Sequence, residues 1–123
     1  AVGIEVQKSA IEQATENAKL NGIDNVSFFA GTVETILPEI QEQFDVVILD
    51  PPRKGCDRTV LDTLLSLQPS RIVYVSCQAA TLARDLKYLC QEGKYQLTFV
   101  QPADFFPQTP HVECVAFLSL VHA

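Results

Sequence analysis

Phe44-Asp45-Val46-Val47-Ile48-Leu49-Asp50-Pro51-Pro52-Arg53-Lys54-Gly55 is the stretch on which the fold turns. Its first half is a near-continuous apolar run, as expected of a strand buried inside a parallel sheet. Two prolines then end the strand: neither donates a backbone N–H, and each holds the residue before it in extended backbone. Asp50 is therefore presented on a stiff exit at a strand's carboxyl end, and ligands of open α/β sheets bind just outside such ends. A plain turn accounts for the prolines but leaves the acid unexplained. Arg53 and Lys54 suit a phosphate, and suit an ordinary charged surface equally well.

Outward from this stretch, apolar runs alternate with helical patterns. Upstream, residues 1–6 and 26–30 read as strands. Between them Ser9-Ala10-Ile11-Glu12 has the form of a capping box, Ala10, Ala14 and Ala18 recur at helical spacing, and Asn21-Gly22 supplies a stop. Residues 32–43 predict a short helix that contains Pro38. Downstream, Asp57 is placed to cap a helix over 58–67, residues 71–76 form another buried strand, and 81–91 form a helix closed by Gly93. Strands over 95–100 and 112–121 end the chain, with Pro102, Pro107 and Pro110 barring regular structure between them. Strands alternating with helices predict βαβ units and a parallel sheet. The last two strands have no helix between them and are expected to be antiparallel neighbours. The predicted class is α/β, a mostly parallel sheet with an antiparallel last strand.

Composition sets the outer bounds. The chain's 123 residues suffice for one domain, and 47% hydrophobic with 20% charged residues is ordinary for a soluble globular protein. No apolar run approaches the roughly 20 residues that span a bilayer, and no signal peptide is visible, so a cytoplasmic setting is expected. A net charge of −6 argues against this chain gripping nucleic acid by itself, because phosphate neutralisation needs clustered Lys and Arg. Cys56, Cys77, Cys90 and Cys114 are scattered without a CxxC, so no zinc site and no disulfide are expected.

Four further positions could carry chemistry. Glu5 closes the first strand, where an acid can accept hydrogen bonds from ribose hydroxyls; a solvated surface glutamate is the alternative. Cys77 ends the run Tyr74-Val75-Ser76 and precedes a helix whose N-terminal field favours thiolate, although a free cysteine is often merely buried. Cys56, in a glycine-containing loop, could approach the same cleft. His111 and Glu113, two apart in an extended segment, share a face. Partial burial of Glu113 would raise its pKa toward that of a useful base; a solvent-facing polar pair is the alternative.

DPPRKG at 50–55, YVSC at 74–77 and DFFPQTPHVE at 104–113, in this order, resemble the uracil-5 RNA methyltransferases, with DFFPQTPHVE the most specific of the three. The resemblance covers essentially the whole chain. It implies a Rossmann-like S-adenosylmethionine-dependent fold, no metal, and formation of 5-methyluridine in transfer or ribosomal RNA, with 23S rRNA the expectation. It implies Cys77 as nucleophile, Glu113 as base, Asp50 as a site residue near cofactor and uracil, and Glu5 as holder of the cofactor ribose. Gln78-Ala79 stands where the family often has Asn-Pro, and Gly31-Thr32 where related enzymes often carry an acid near adenine, so neither contact is carried over. The family's first strand, its Gly-rich cofactor loop and its RNA-binding parts would all precede Ala1. The chain is thus expected to be the C-terminal portion of a catalytic domain, inactive alone. Its sheet edge would be rearranged or paired with another copy, since strands that normally flank a central strand lose main-chain partners without it.

Three rivals remain. An amino-group methyltransferase would use DPP without a thiol, but Arg53 stands where it would want an aromatic. A cytosine-5 methyltransferase would use Cys56 as a second thiol. A non-catalytic assembly piece would bind no cofactor.

Overall fold

The computed structural model describes residues 1–40, 43–103 and 113–121. The chain divides into two compact units, Ala1–Gln41 and Glu42–Ala123.

The first unit is a βαβ turn of fold. β1 (Val2–Glu5) and β2 (Ser27–Ala30) pair in parallel, Val2 with Ser27 through Glu5 with Ala30, joined by α1 (Lys8–Leu20). The expected capping box does not form. α1 begins at Lys8 with Gln7 as its N-cap and no side-chain cap, which puts Ser9 inside the first turn. The turn is made two residues earlier, where the Gln7 N–H donates to Glu5 Oε1. The stop is as expected: Asn21 ends the helix and Gly22 follows at φ +67°. The helix predicted over 32–43 is shorter than expected. α2 (Val33–Ile36) gives way to a single 3₁₀ turn, Leu37–Glu39, because Pro38 has no N–H to continue the α-helical ladder. Residues 41–42 lie outside the described residues.

The second unit is built on a four-stranded sheet in the order β3 (Val46–Leu49), β4 (Arg71–Ser76), β6 (Glu113–Leu120), β5 (Tyr95–Ala103). β3 and β4 are parallel; β6 runs antiparallel to both β4 and β5. The last two strands are antiparallel neighbours as predicted, with β6 inserted between β4 and β5. Two expectations fail at the sheet's margins. Pro102 does not end β5 but lies within it; β5 is an edge strand, where a missing N–H leaves no ladder partner stranded. β3, expected to be buried and central, is the other edge of this sheet, with Val46 and Ile48 exposed and only Leu49 buried.

α3 (Arg58–Leu67) and α4 (Ala79–Cys90) contact each other over the face that carries Ile72, Tyr74, Ala116 and Leu118. Val60, Leu61, Leu64 and Leu65 recur at helical spacing and are all buried, so α3 turns one apolar stripe inward. It stops at Gln68, which takes the left-handed conformation at φ 52° just before Pro69. α4 starts at Ala79, two residues before the predicted boundary, and buries Leu82, Asp85 and Leu89. On the opposite face, cross-strand register aligns Ile48, Val73, Phe117 and Phe99 in an apolar row across all four strands, with Ile48 70% exposed. Among the described residues no helix is long and apolar enough to cross a membrane.

Candidate active site

One end of the four-stranded sheet gathers three of the four predicted site residues. β3 and β4 point their carboxyl ends there, and antiparallel β6 starts there. Asp50 is the first residue past β3 and is exposed. Cys77 is the first residue past β4 and is half-buried, with a free thiol. Glu113 opens β6, half-buried, opposite Ala103 of β5. The last β4–β6 pair is Ser76 with Cys114, so Cys77, the first residue after β4, and Glu113, the first residue of β6, each stand one residue beyond it at the same end of the sheet. Strand order and direction thus put both residues at the end of the sheet where Asp50 emerges. Glu5 belongs to the first unit: it ends β1, is exposed, and its backbone carbonyl accepts from the Gly31 N–H at 2.9 Å. His111 and the rest of 104–112 lie outside the described residues.

Local hydrogen bonds fix the turn that carries Cys77. The buried Ser76 hydroxyl accepts from the Gln78 N–H at 3.1 Å and donates to the Gln78 carbonyl at 2.9 Å, bracketing the cysteine between its neighbours. The Thr81 hydroxyl, in the first turn of α4, lies 3.2 Å from Gln78 O and 2.9 Å from Arg53 O, so its one proton is shared between these two carbonyls. The loop after Asp50 is equally constrained. The Gly55 N–H donates to Pro52 O at 2.9 Å, and Gly55 adopts φ +84°, a conformation glycine takes without strain. Thr81 Oγ1 donates to Arg53 O at 2.9 Å, Arg84 Nη2 to Lys54 O at 2.9 Å, and the Cys56 N–H to Asp85 Oδ2 at 2.8 Å.

Asp85 is the residue that sequence reasoning missed. It is 1% exposed and has no unpartnered oxygen: Oδ2 also accepts from the Tyr74 hydroxyl at 2.5 Å, and Oδ1 takes two bonds from the Arg84 guanidinium. The signal was present in the helical stripe Leu82–Asp85–Leu89, where an acid occupies a position otherwise apolar. Burial, and then the Asp85 charge, push the Cys56 thiol up to about 11, so Cys56 is held as a neutral thiol. Burial and the hydrogen bond to Asp85 push the Tyr74 phenol up as well. Cys90 and Cys114 lie within α4 and β6, the elements expected for them. Lys54, Arg58 and Arg84 line a cleft of about 370 Å³ beside this network, together with Asp57 and Tyr88.

The sequence profile of the tRNA (uracil-5-)-methyltransferase family matches residues 39–121, more than half of the chain. An uncharacterized RNA methyltransferase of Nostoc sp. is 59% identical over 120 residues, covering 98% of this chain and 26% of the relative. A second, from Synechocystis sp., is 54% identical over 122 residues, covering 99% and 26%. The chain therefore spans about a quarter of the length of the curated relatives it matches. Among solved structures, the Pyrococcus abyssi tRNA (uracil-54, C5)-methyltransferase in complex with S-adenosyl-L-homocysteine superposes with a TM-score of 0.80 at 38% identity, covering 95% of this chain and 28% of that one. An rRNA methylase from Streptococcus thermophilus superposes at 0.76 with 12% identity, covering 98% and 73%, a likeness of fold alone. The fold is accordingly that of Rossmann-like, S-adenosylmethionine-dependent methyltransferases, and the chain belongs to the tRNA (uracil-5-)-methyltransferase family.

Proposed function

We propose that this chain is the C-terminal portion of a catalytic domain that methylates carbon 5 of a uridine in RNA, acting through a covalent cysteine adduct within a longer protein. The single observation that supports it most is the pairing of Ser76 with Cys114, the neighbours of Cys77 and Glu113, at the end of the sheet where Asp50 emerges.

Cys77 thiolate adds to carbon 6 of the uracil. The carbon 5–carbon 6 π electrons move into an enolate, and carbon 5 becomes nucleophilic. S-adenosylmethionine, when bound, supplies the methyl group that carbon 5 takes. Glu113 then removes the proton from carbon 5, the double bond re-forms, and the bond from sulfur to carbon 6 breaks to release Cys77. The cofactor roles we assign go to Glu5, which ends β1, and to Asp50, the first residue past β3; both are exposed, and an acid at a strand's carboxyl end can accept from ribose hydroxyls. RNA is held by other parts of the longer protein, in keeping with the net charge of −6 here. The setting we assign is cytoplasmic. The chain by itself is expected to be inactive and to self-associate through its sheet edges.

The cytosine-5 alternative needs Cys56 as a second acid–base thiol, and a thiol pushed up to about 11 by burial and by Asp85 suits that part poorly. The test is to incubate the full-length protein with transfer and 23S ribosomal RNA carrying 5-fluorouridine, then look for a denaturation-stable complex. An adduct that disappears in Cys77→Ala is expected. On ordinary RNA, nucleoside mass spectrometry should find 5-methyluridine, and Glu113→Gln should slow release after methylation. An adduct that survives Cys77→Ala, or methyl groups only on cytosine or on amino nitrogens, would refute the assignment.

A further inference from the structure

Resting on the function proposed above, we propose that the α4 face carrying Thr81, Arg84 and Asp85 is a positioning device that fixes the loop following Asp50 relative to the turn that carries Cys77. Residues 81, 84 and 85 stand three and four apart and share one face of the helix. Each takes a different backbone group of the loop: Thr81 the Arg53 carbonyl, Arg84 the Lys54 carbonyl, Asp85 the Cys56 N–H. Gly55, between the last two, leaves no room for a side chain. A Cβ there would stand 2.6 Å from Arg84 Nη2 and 2.7 Å from Asp85 Oδ2, so the loop backbone lies directly against these two side chains.

The same helix face reaches the cysteine's turn. Thr81 Oγ1 lies between Arg53 O and Gln78 O, one group from each segment. Asp85 binds the hydroxyl of Tyr74, three residues before Cys77 on β4. One buried carboxylate therefore ties together the end of β4, the loop after β3, and α4. Stability is a poor explanation for such a group, because a buried, paired charge is commonly no better than a well-packed apolar residue. What the carboxylate does supply is direction: its four accepted hydrogen bonds admit one arrangement of three segments, where a leucine would admit several. None of the three side chains needs to touch substrate for this.

The experiment uses the full-length protein and its Asp85→Asn variant, with three readouts: the single-turnover rate of adduct formation on 5-fluorouridine RNA, RNA affinity, and hydrogen exchange at the Cys56 amide. Asn keeps the shape but cannot accept from tyrosine, amide and guanidinium together. Adduct formation should slow by roughly 10- to 100-fold, as displacement of a reacting group by about 1 Å would produce, with RNA affinity unchanged and exchange at Cys56 accelerated. A general loss of folding would instead weaken RNA binding and melting along with the rate. Adduct formation at the wild-type rate overturns the proposal. If Asp85→Asn does not fold, Thr81→Val removes only surface hydroxyl bonds and is expected to slow the adduct while leaving the melting temperature in place; an unchanged rate overturns the proposal equally. A wild-type protein that forms no adduct refutes the function, whereas unaltered exchange at Cys56 in the variant refutes the clamp whatever the chemistry.

Discussion

Cys56 and Cys77 carry the same functional group, and their surroundings give them different work. Cys56 sits against Asp85 in a half-buried pocket, and its thiol is raised from 9.0 to about 11. At pH 8 its thiolate fraction should be on the order of 100-fold below that of an unperturbed thiol, so alkylation by iodoacetamide should be slowed in proportion. Peptide mass spectrometry over a time course reads this directly; labelling of Cys56 at the rate of a free model thiol would contradict it. The sign for stability follows from the same shift. The folded state keeps a proton that the unfolded chain releases above about 9, so this stabilisation is complete below that pH and is lost as pH rises toward about 11. Only the setting of Cys56 in a glycine loop was legible in the sequence. The group that decides its chemistry lies 29 residues further along, in a stretch that reads as an ordinary helix, and such a contact is fixed by packing rather than by local pattern.

Elements whose signals are local were read well, and those that depend on neighbours were not. Asp57 was expected to cap α3 and does so: its carboxylate accepts the Thr59 N–H at 3.0 Å, and that hydrogen bond holds its pKa below the usual 3.8. Asp57→Ala should lower stability at neutral pH. Because the folded carboxyl ionises more readily than the unfolded one, its contribution is present above 3.8 and fades as pH falls through the folded value. Urea unfolding of wild type and variant should therefore converge in acid; a gap that persists well below 3.8 would exclude the charged cap as its cause. Ser9 carried a similar motif and failed, since β1 ends at Glu5 and the chain has already turned into helix at Lys8. Pro102 misled in the other direction, because its tolerance depends on β5 being an edge, a property of sheet order and not of the segment. The places of Asp50 and Cys77 just past β3 and β4 were legible because a strand's carboxyl end can be located from the apolar run that precedes it, and Glu113 was legible as the start of the last strand. The antiparallel insertion of β6 beside β4, which puts Cys77 and Glu113 at one end of the sheet, comes from the sheet order.

At the scale of the molecule the described strands fall into two sheets, and among the described residues β1 pairs only with β2 and β3 only with β4, which leaves one edge of each without a strand partner. The expectation that the edge would be rearranged within the chain is not met among the described residues, since β1 pairs only with β2 and β3 only with β4. Pairing with another copy is the alternative that remains. β3 is suited to it: Val46 and Ile48 are 50% and 70% exposed, and the edge presents N–H and C=O groups beside them. Phe99 and Phe117, 5.9 Å apart and half exposed, extend the apolar surface across the sheet. Natural proteins protect such edges with charge, and here the nearest charged residues on this segment, Asp45 and Asp50, stand outside the strand at either end. The chain alone should accordingly sediment as a dimer or larger species that dissociates on dilution, and Ile48→Lys, which sets a cation on the exposed side of the edge strand, should shift the distribution toward monomer. A single monomeric boundary at every loading concentration, with or without the substitution, would show that these edges are content with solvent.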